Sequence, residues 1–457
     1  MRDITIRNFR CYSEKQMTFR RGINLLIGDN SVGKTSLLRA CNLVINSFFS
    51  GFSDENTLWK SADDDDFMEV KSKDIQMVDL PISIIFHLDK DDCPPIELAD
   101  GSTVCLEAKE SIDEDSDRPD LLIEKKSKKN ARNLITGLKP LKNYASLLQE
   151  NSHIIVDGEV LQKNSLPLFA YFTTEDIHTT RKFDKEKKNF KKYPQKPSFG
   201  YFESFDCKGL LDCWIKRLLV LKEADKGNSE IECVRAAVID ALGSNGCNIV
   251  ANIEIMQNEG QIYFTYFDGR KVRSDLLSDG YRRLVSIVVD IAMRSALLNK
   301  VKFGSEAYKR TYGTVIIDEI DEHLHPELQV KVLKALHNTF PKLQFIVSTH
   351  SPLVISSVEN NDDNAVYKLE FKDGVYTHRE LNTYGLDANS ILEEGMGTVV
   401  RPSQIGDKIK KVRTLLSDYK VAEAKEMVAG LEKETDAHQT DLVQLRAIIN
   451  RLEMLRE

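Results

Sequence analysis

The stretch Ile23-Asn24-Leu25-Leu26-Ile27-Gly28-Asp29-Asn30-Ser31-Val32-Gly33-Lys34-Thr35-Ser36 decides the fold. Ile23 to Ile27 is a short apolar run that reads as a buried strand, a glycine-bearing loop follows, and Ser36 to Phe49 carries a helical pattern. Strand, loop and helix in that order open an α/β core. The loop, Gly28 to Thr35, fits the pattern GxxxxGK followed by Ser or Thr in full. The glycines let the backbone curl so that successive N–H groups point inward at phosphate oxygens. The helix start adds the positive end of its dipole. A nucleotide with β- and γ-phosphates, bound with Mg²⁺, is therefore the expected ligand. Lys34 is expected to bridge its β- and γ-phosphates and the Thr35 hydroxyl to ligate Mg²⁺. Gly28, Asn30, Ser31, Gly33 and Ser36 form the rest of the cradle. A chance glycine turn would lack the flanking strand and helix.

Further along, Thr314-Val315-Ile316-Ile317-Asp318-Glu319 is an apolar run ending in two acids. A strand here delivers Asp318 to the Mg²⁺ shell, and Glu319, one residue on, is placed to polarise an attacking water as general base. By itself such a run reads as a buried strand with solvated acids at its end; the upstream phosphate loop gives it meaning. Ser348-Thr349-His350 ends the next apolar strand. If that strand is a parallel neighbour of the first, His350 reaches the same sheet edge and can contact the γ-phosphate. Leu277-Ser278-Asp279-Gly280-Tyr281 opens a helix. Read alone it is an N-cap, although Ser278 and Gly280 could also hold a phosphate through hydroxyl and backbone N–H.

The chain has 457 residues, 41% hydrophobic and 29% charged, which suits a globular protein with a substantial core. No apolar run approaches the roughly 20 residues that cross a bilayer, and Met1 to Arg10 alternates like a strand instead of resembling a signal peptide. A cytosolic location without a membrane partner is the expectation. Eight cysteines are scattered, the nearest pair being Cys207 and Cys213, a spacing that fits neither a zinc knuckle nor a redox motif; they read as reduced thiols. Net charge is −8, so the molecule as a whole does not advertise nucleic-acid binding.

The organisation follows from where the character changes. Residues 1–50 hold the first part of the core. Residues 51–165 read as an insertion with a small β-rich portion and loops, entered through the acidic run Asp63 to Asp66. Residues 166–400 resume the core: a buried strand from Leu166 to Phe172, helices from Phe205 to Leu221 and from Glu230 to Leu242, strands around Ile249 to Ile255 and Ile262 to Phe267, and a helix from Asp279 to Asn299. Short all-apolar strands, Thr314 to Ile317 and Gln344 to Val347, suit a parallel sheet covered on both faces. Residues 401–457 form a helical segment, with amphipathic helices from Ile405 to Leu416, Val421 to Leu431 and Leu442 to Leu455. The predicted class is α/β.

The order of phosphate loop, "LSDGY", "VIIDEID", "HLHP" and "STHS" resembles the ABC-type P-loop ATPases of the RecF/SMC and OLD-nuclease branch. "LSDGY" lies about 40 residues before Asp318, where that family carries its signature motif. The resemblance implies an ABC-type ATPase head that acts as a homodimer or a higher oligomer. ATP is then sandwiched so that Ser278 and Gly280 touch the γ-phosphate bound by the partner, and Glu322 to His325 form the D-loop at the interface. His350 would act as the switch residue. Transporters have LSGGQ where this chain has LSDGY, so coupling to a permease is not implied. The family's Q-loop glutamine has no identified counterpart.

"LPLFAYFTTE", "LLSDGYRRLVSIVVDIAMR", "IIDEIDEHLHPELQ", "FIVSTHSPLVISS" and "YGLDANSILEEGMG" followed by "RP" are similar to the ATPase subunits of bacterial Septu-type anti-phage systems. That likeness covers both core halves and the tail and is loose over 51–165. It implies an ATPase subunit that regulates a separate HNH-type nuclease, with nucleic acid reached through the complex. Three other readings compete. A PARIS-type system would pair the ATPase with a Toprim nuclease, and a RecF-like protein would act on DNA itself. A nuclease with its own Toprim domain fits poorly, because only 107 residues follow His350 and they read mainly as helices.

Two further features have plain and functional readings. Arg181 to Lys196 is strongly basic with Phe183, Phe190 and Tyr193 interleaved. Such a run is usually a solvated loop, and it can also track a phosphate backbone and stack bases. His323 and His325 beside Asp321 and Glu322 lie where the D-loop belongs, which outweighs a second metal site.

Overall fold

The computed structural model describes residues 1–71, 77–106, 119–128, 136–156, 159–174, 195–207, 209–223, 227–397, 403–434 and 440–454. The chain divides into two units, Met1–Ala388 and Asn389–Glu457.

The first unit is built on a six-stranded sheet. Its strands are β3 (Ile23–Ile27), β6 (Leu168–Phe172), β10 (Gly313–Ile317), β11 (Leu343–Ser348), β12 (Ala365–Lys372) and β13 (Val375–Leu381), in the spatial order β6-β10-β11-β3-β12-β13. All neighbours are parallel except the terminal hairpin β12–β13. Every residue of β3, β6 and β11 is buried. That is why these strands are mainly apolar and show no inside–outside alternation: both faces are covered. Helix α1 (Lys34–Asn46) follows β3 and packs on β10 and β11.

A second sheet is antiparallel, in the order β2-β1-β4-β5, from β1 (Asp3–Phe9), β2 (Tyr12–Thr18), β4 (Ile82–His87) and β5 (Leu121–Lys125). Two of these strands come from the stretch expected as an insertion. What is described of 51–165 therefore completes the N-terminal sheet around β1, and α2 (Lys139–Asn151) packs beside the end of α1. Helices α3 (Leu211–Glu223) and α4 (Asn228–Leu242) precede a three-stranded meander, β7 (Val250–Met256), β8 (Gln261–Tyr266) and β9 (Lys271–Arg273). The helix predicted from Phe205 begins only at Leu211, because the described residues before it form turns.

Helix α5 (Asp279–Phe303) is the longest, and every residue from Ile287 to Asn299 is buried. Buried charges on it are paired. Asp290 accepts from Trp214 Nε1 at 2.6 Å and from Arg294 Nε at 2.6 Å, and Arg294 also donates to the carbonyls of Gly200 and Phe202. Arg217 of α3 forms a forked pair with Glu230 of α4 at 2.9 and 3.0 Å, and Lys300 of α5 joins the same carboxylate. A short helix, α6 (Val332–Thr339), leads into β11.

The second unit contains α7 (Ser403–Ser417), α8 (Val421–Glu434) and α9 (Thr440–Met454), close to the three helices predicted. They share a core in which Val412, Ala424 and Leu442 are fully buried, flanked by Ile409, Val428 and Ile449. Ion pairs Lys408–Glu434, Arg413–Asp441 and Lys425–Glu453 tie the exposed flanks. Among the described residues no helix is long and apolar enough to cross a membrane.

Candidate functional site

The parallel strands of the large sheet all end at one edge, and most of the predicted residues lie there. After β3 the chain turns through Gly28 and Gly33, whose φ angles are +144° and +92°. Only glycine fits either place. A Cβ on Gly28 would stand 2.5 Å from the Leu369 carbonyl oxygen, and one on Gly33 would stand 2.4 Å from the Tyr12 hydroxyl. Tyr12 Oη donates to the Gly33 carbonyl at 2.9 Å, so the β1–β2 hairpin braces the loop. Asn30, Ser31 and Thr35 are exposed at its rim and Ser36 is half-buried. Lys34 is buried, and its ammonium donates to the carbonyls of Gly28 and Asp29 at 2.8 and 3.0 Å. Burial lowers its pKa, opposed by Asp318, Glu319 and Asp29 nearby.

Strand β10 brings up the acids. The Asp318 N–H donates to the Phe172 carbonyl of β6 at 2.8 Å, and Asp318 Oδ1 accepts from Ser348 Oγ of β11 at 2.5 Å. Ser348 Oγ in turn accepts from the Glu319 N–H at 2.8 Å. Glu319 sits at φ +50°, a left-handed conformation that a side chain other than glycine seldom takes. Burial raises its carboxyl pKa, and Asp318 adds to the shift while His350 opposes it. His350 is half-buried at the end of β11. Its N–H and the Thr349 hydroxyl both approach Asp321 Oδ1, at 3.3 and 2.5 Å. Thus the phosphate loop, Asp318, Glu319 and His350 meet at one sheet edge.

Ser278 and Gly280 are placed differently, at the start of α5 against the turn that follows Glu319. Ser278 is exposed, is the N-cap of α5, and makes no capping bond with its side chain. Gly280 is buried, and a Cβ there would stand 2.4 Å from the His323 carbonyl oxygen. One helical turn on, Arg283 grips the same turn: it donates to Glu322 Oε2 at 2.8 Å and to the carbonyls of Asp318 and Glu319, each at 2.9 Å. Sequence reasoning missed Arg283 and Tyr12, whose partners are far along the chain. It also gave Asp321 no bracing role, although that residue stands in the quoted run "IIDEIDEH".

The two histidines of the turn have structural partners. His325 Nδ1 accepts from the Glu327 N–H as the cap of Pro326–Gln329, and His323 lies 3.6 Å from Glu322. Among the described residues no group of His, Cys, Asp and Glu is arranged to hold a metal without a nucleotide. Of the basic stretch Arg181 to Lys196, all but Gln195 and Lys196 lies outside the described residues, and Lys196 pairs with Glu55.

A family model described as an AAA ATPase domain matches residues 1–355. The chain belongs to this family. The AAA ATPase domain thus spans the phosphate loop, α5, Asp318, Glu319 and His350. Relatives of this ATPase include the "Retron Vc95 probable ATPase" of Vibrio cholerae serotype O1 biovar El Tor, 36% identical over 33% of this chain and 29% of that protein. "Septu protein PtuA" of Bacillus mycoides strain KBAB4 is 31% identical over 29% of this chain and 18% of its own length. The chain therefore matches less than a third of the length of these relatives. Among solved structures, an Smc head bound to the C-winged helix domain of ScpA is 15% identical, with a TM-score of 0.47, over 86% of this chain and 99% of that one.

The residues present fit Mg²⁺-ATP. The loop has glycines where a Cβ would collide, a buried ammonium held ready by the loop's own carbonyls, and a paired carboxylate facing it across the sheet edge.

Proposed function

We propose that the chain is the ATP-hydrolysing subunit of an anti-phage defence complex, in which two copies close around ATP and thereby regulate a separate nuclease of HNH type. The observation that supports this most is the convergence of Lys34, Asp318, Glu319 and His350 at one edge of the sheet, with Ser278 exposed on the far side of the same turn.

Bound Mg²⁺ would neutralise the charge that builds on the phosphate oxygens. The chain's own groups divide the remaining work. The loop N–H groups and Lys34 hold the phosphates, and Lys34 exchanges the Gly28 and Asp29 carbonyls for phosphate oxygens. Thr35 and Asp318 would hold the metal. Glu319, with its raised pKa and an N–H fixed by Ser348, accepts a proton from the attacking water. His350 contacts the γ-phosphate. Ser278 and the Gly280 N–H complete the site of the partner subunit. Arg283 bonds to the carbonyls of both Asp318 and Glu319, so docking at Ser278 is felt at the acids of the same chain.

The relatives named as Septu and retron ATPases support the defence assignment, and the ATPase domain match supports the chemistry. Glu319→Gln is expected to bind ATP with wild-type affinity and hydrolyse it at least ~100-fold more slowly; ordinary turnover would remove Glu319 from the role of base. Co-expression with neighbouring reading frames, followed by tag purification, tests the partner. An HNH protein in fixed ratio is the expected result. A Toprim protein would instead favour the PARIS-type pairing, and a chain that elutes alone and binds DNA with ATP would favour the RecF-like one.

A further inference from the structure

We infer that Gln329 is a further positioning residue for hydrolysis: its side-chain amide locks the turn that carries Glu319 to the strand end that carries His350. The inference rests on the nucleotide-site reading above and adds a residue to which neither sequence pattern nor likeness gave a role.

The turn between β10 and the short helix Pro326–Gln329 is strained. Two of its residues that are not glycine, Glu319 and His323, have φ angles of +50° and +62°. Such backbone is costly and persists only where the surroundings hold it in place. Apolar packing holds part of the turn: Ile320 and Leu324 are buried, whereas Glu319, Asp321 and Glu322 are half-buried and His323 is exposed. Side chains bonded to the turn's carbonyls supply the rest. Arg283 of α5 takes the carbonyls of Asp318 and Glu319. Gln329 Nε2 donates to the Leu324 carbonyl at 2.8 Å and to that of Asp321 at 3.4 Å. Four carbonyls of one turn are thus tied by two side chains, one from α5 and one from the helix that follows the turn.

Carbonyls only accept, so the end of the Gln329 amide that faces them is its NH₂ group, and the oxygen faces the other way. There Gln329 Oε1 accepts from Ser351 Oγ at 2.6 Å, and Ser351 directly follows His350. The two segments are laced residue by residue. Ser348 Oγ holds the Glu319 N–H, the Thr349 hydroxyl and the His350 N–H hold Asp321 Oδ1, and Ser351 holds Gln329. His350 is therefore bracketed, by Asp321 on its own N–H and by Gln329 through the next residue. Without the amide, the Leu324 and Asp321 carbonyls lose a donor, the strained turn can relax, and Glu319 and His350 lose their fixed separation. Proton transfer from a water lined up on the γ-phosphate is sensitive to such a change, since a misplacement of about 1 Å can slow a reaction ~100-fold. Nucleotide binding is not, because Lys34 and the loop N–H groups follow β3, which Gln329 does not brace.

The test is steady-state ATP turnover by the full-length chain, with nucleotide affinity read by a fluorescent ATP analogue. Gln329→Met keeps the length and removes donor and acceptor together; Gln329→Glu keeps the acceptor for Ser351 and loses the donor to the turn. Both are expected to lower kcat ~10-fold or more, with KM and nucleotide affinity within ~2-fold of wild type. A merely structural role would lower the melting temperature and leave kcat unchanged wherever the variant is folded, so a wild-type kcat in either folded variant overturns the inference. So does a loss of affinity as large as the loss of kcat, which would assign the effect to binding. If Gln329→Met does not fold, Gln329→Glu decides alone on the same readings. Lys34→Ala separates the two levels. Turnover absent in wild type or retained in Lys34→Ala overturns the site reading itself, whereas turnover lost in Lys34→Ala together with a wild-type kcat in the Gln329 variants overturns only the role of Gln329.

Discussion

Glu319 combines a left-handed backbone, the neighbouring Asp318 and partial burial; the first strains the chain locally, and the other two make its charged form harder to hold. The sign of the consequence for stability can be worked out. Its folded pKa lies above that of the unfolded chain, so between the two values the folded state binds the extra proton. Stability is then fully present below the unfolded pKa and falls as pH rises through the folded one. At neutral pH, Glu319→Gln is therefore expected to melt at a higher temperature than wild type, and the gap is expected to close as the buffer is taken towards about pH 4. Differential scanning fluorimetry across that range checks it; a variant that melts lower at neutral pH would contradict the assignment of a destabilising charge to this carboxylate. At this scale the sequence was informative wherever chemistry is local. Gly28 to Ser36 and Asp318-Glu319 announce themselves because each motif is contiguous. Tyr12 and Arg283 do not, because what makes them matter is a carbonyl 21 residues away or a turn 35 and 36 residues away.

The elements around the site are pinned by buried charge as much as by apolar packing. Arg217, Glu230 and Lys300 join α3, α4 and α5, and both Arg217 and Glu230 are almost wholly shielded from water. Removing one partner leaves the others buried and uncompensated, so Glu230→Ala is expected to cost about 3–5 kcal/mol. Urea unfolding monitored by tryptophan fluorescence measures it, since Trp214 lies on α3. A loss under about 1 kcal/mol would mean that the cluster relaxes towards water. The all-apolar strands and the amphipathic helices were legible as elements, because burial writes itself into hydropathy. Strand β2 was not: Tyr-Ser-Glu-Lys-Gln-Met-Thr has no apolar alternation, and a lysine, Lys15, occupies one of its buried positions. The hairpin β12–β13 was missed for a related reason, since β13 is mostly exposed and polar. The stretch 51–165, which carries β4 and β5, reads as an insertion because nothing local reveals that their sheet is built on β1.

At the scale of the molecule, Met1–Ala388 holds every residue proposed for the nucleotide site and Asn389–Glu457 has a core of its own. Ser278 is exposed, so a complete site on the dimer reading requires a second copy. Glu319→Gln with ATP and Mg²⁺ is expected to elute as a dimer in size-exclusion chromatography with light scattering, and adding Ser278→Arg to that variant is expected to return it to the monomer position. A dimer that persists in the double variant would mean the chains meet elsewhere. The close approach of Gly280 to the His323 carbonyl has a bearing on how such chains vary among organisms. Two nearby letters of one motif answer to different judges. Position 280 is closed to any side chain by the chain's own interior, so it should stay glycine even in a lineage that has abandoned hydrolysis and kept only the scaffold. Position 278 has no such internal obligation, and on the dimer reading its drift would mark the lineages in which the pairing of two copies no longer matters.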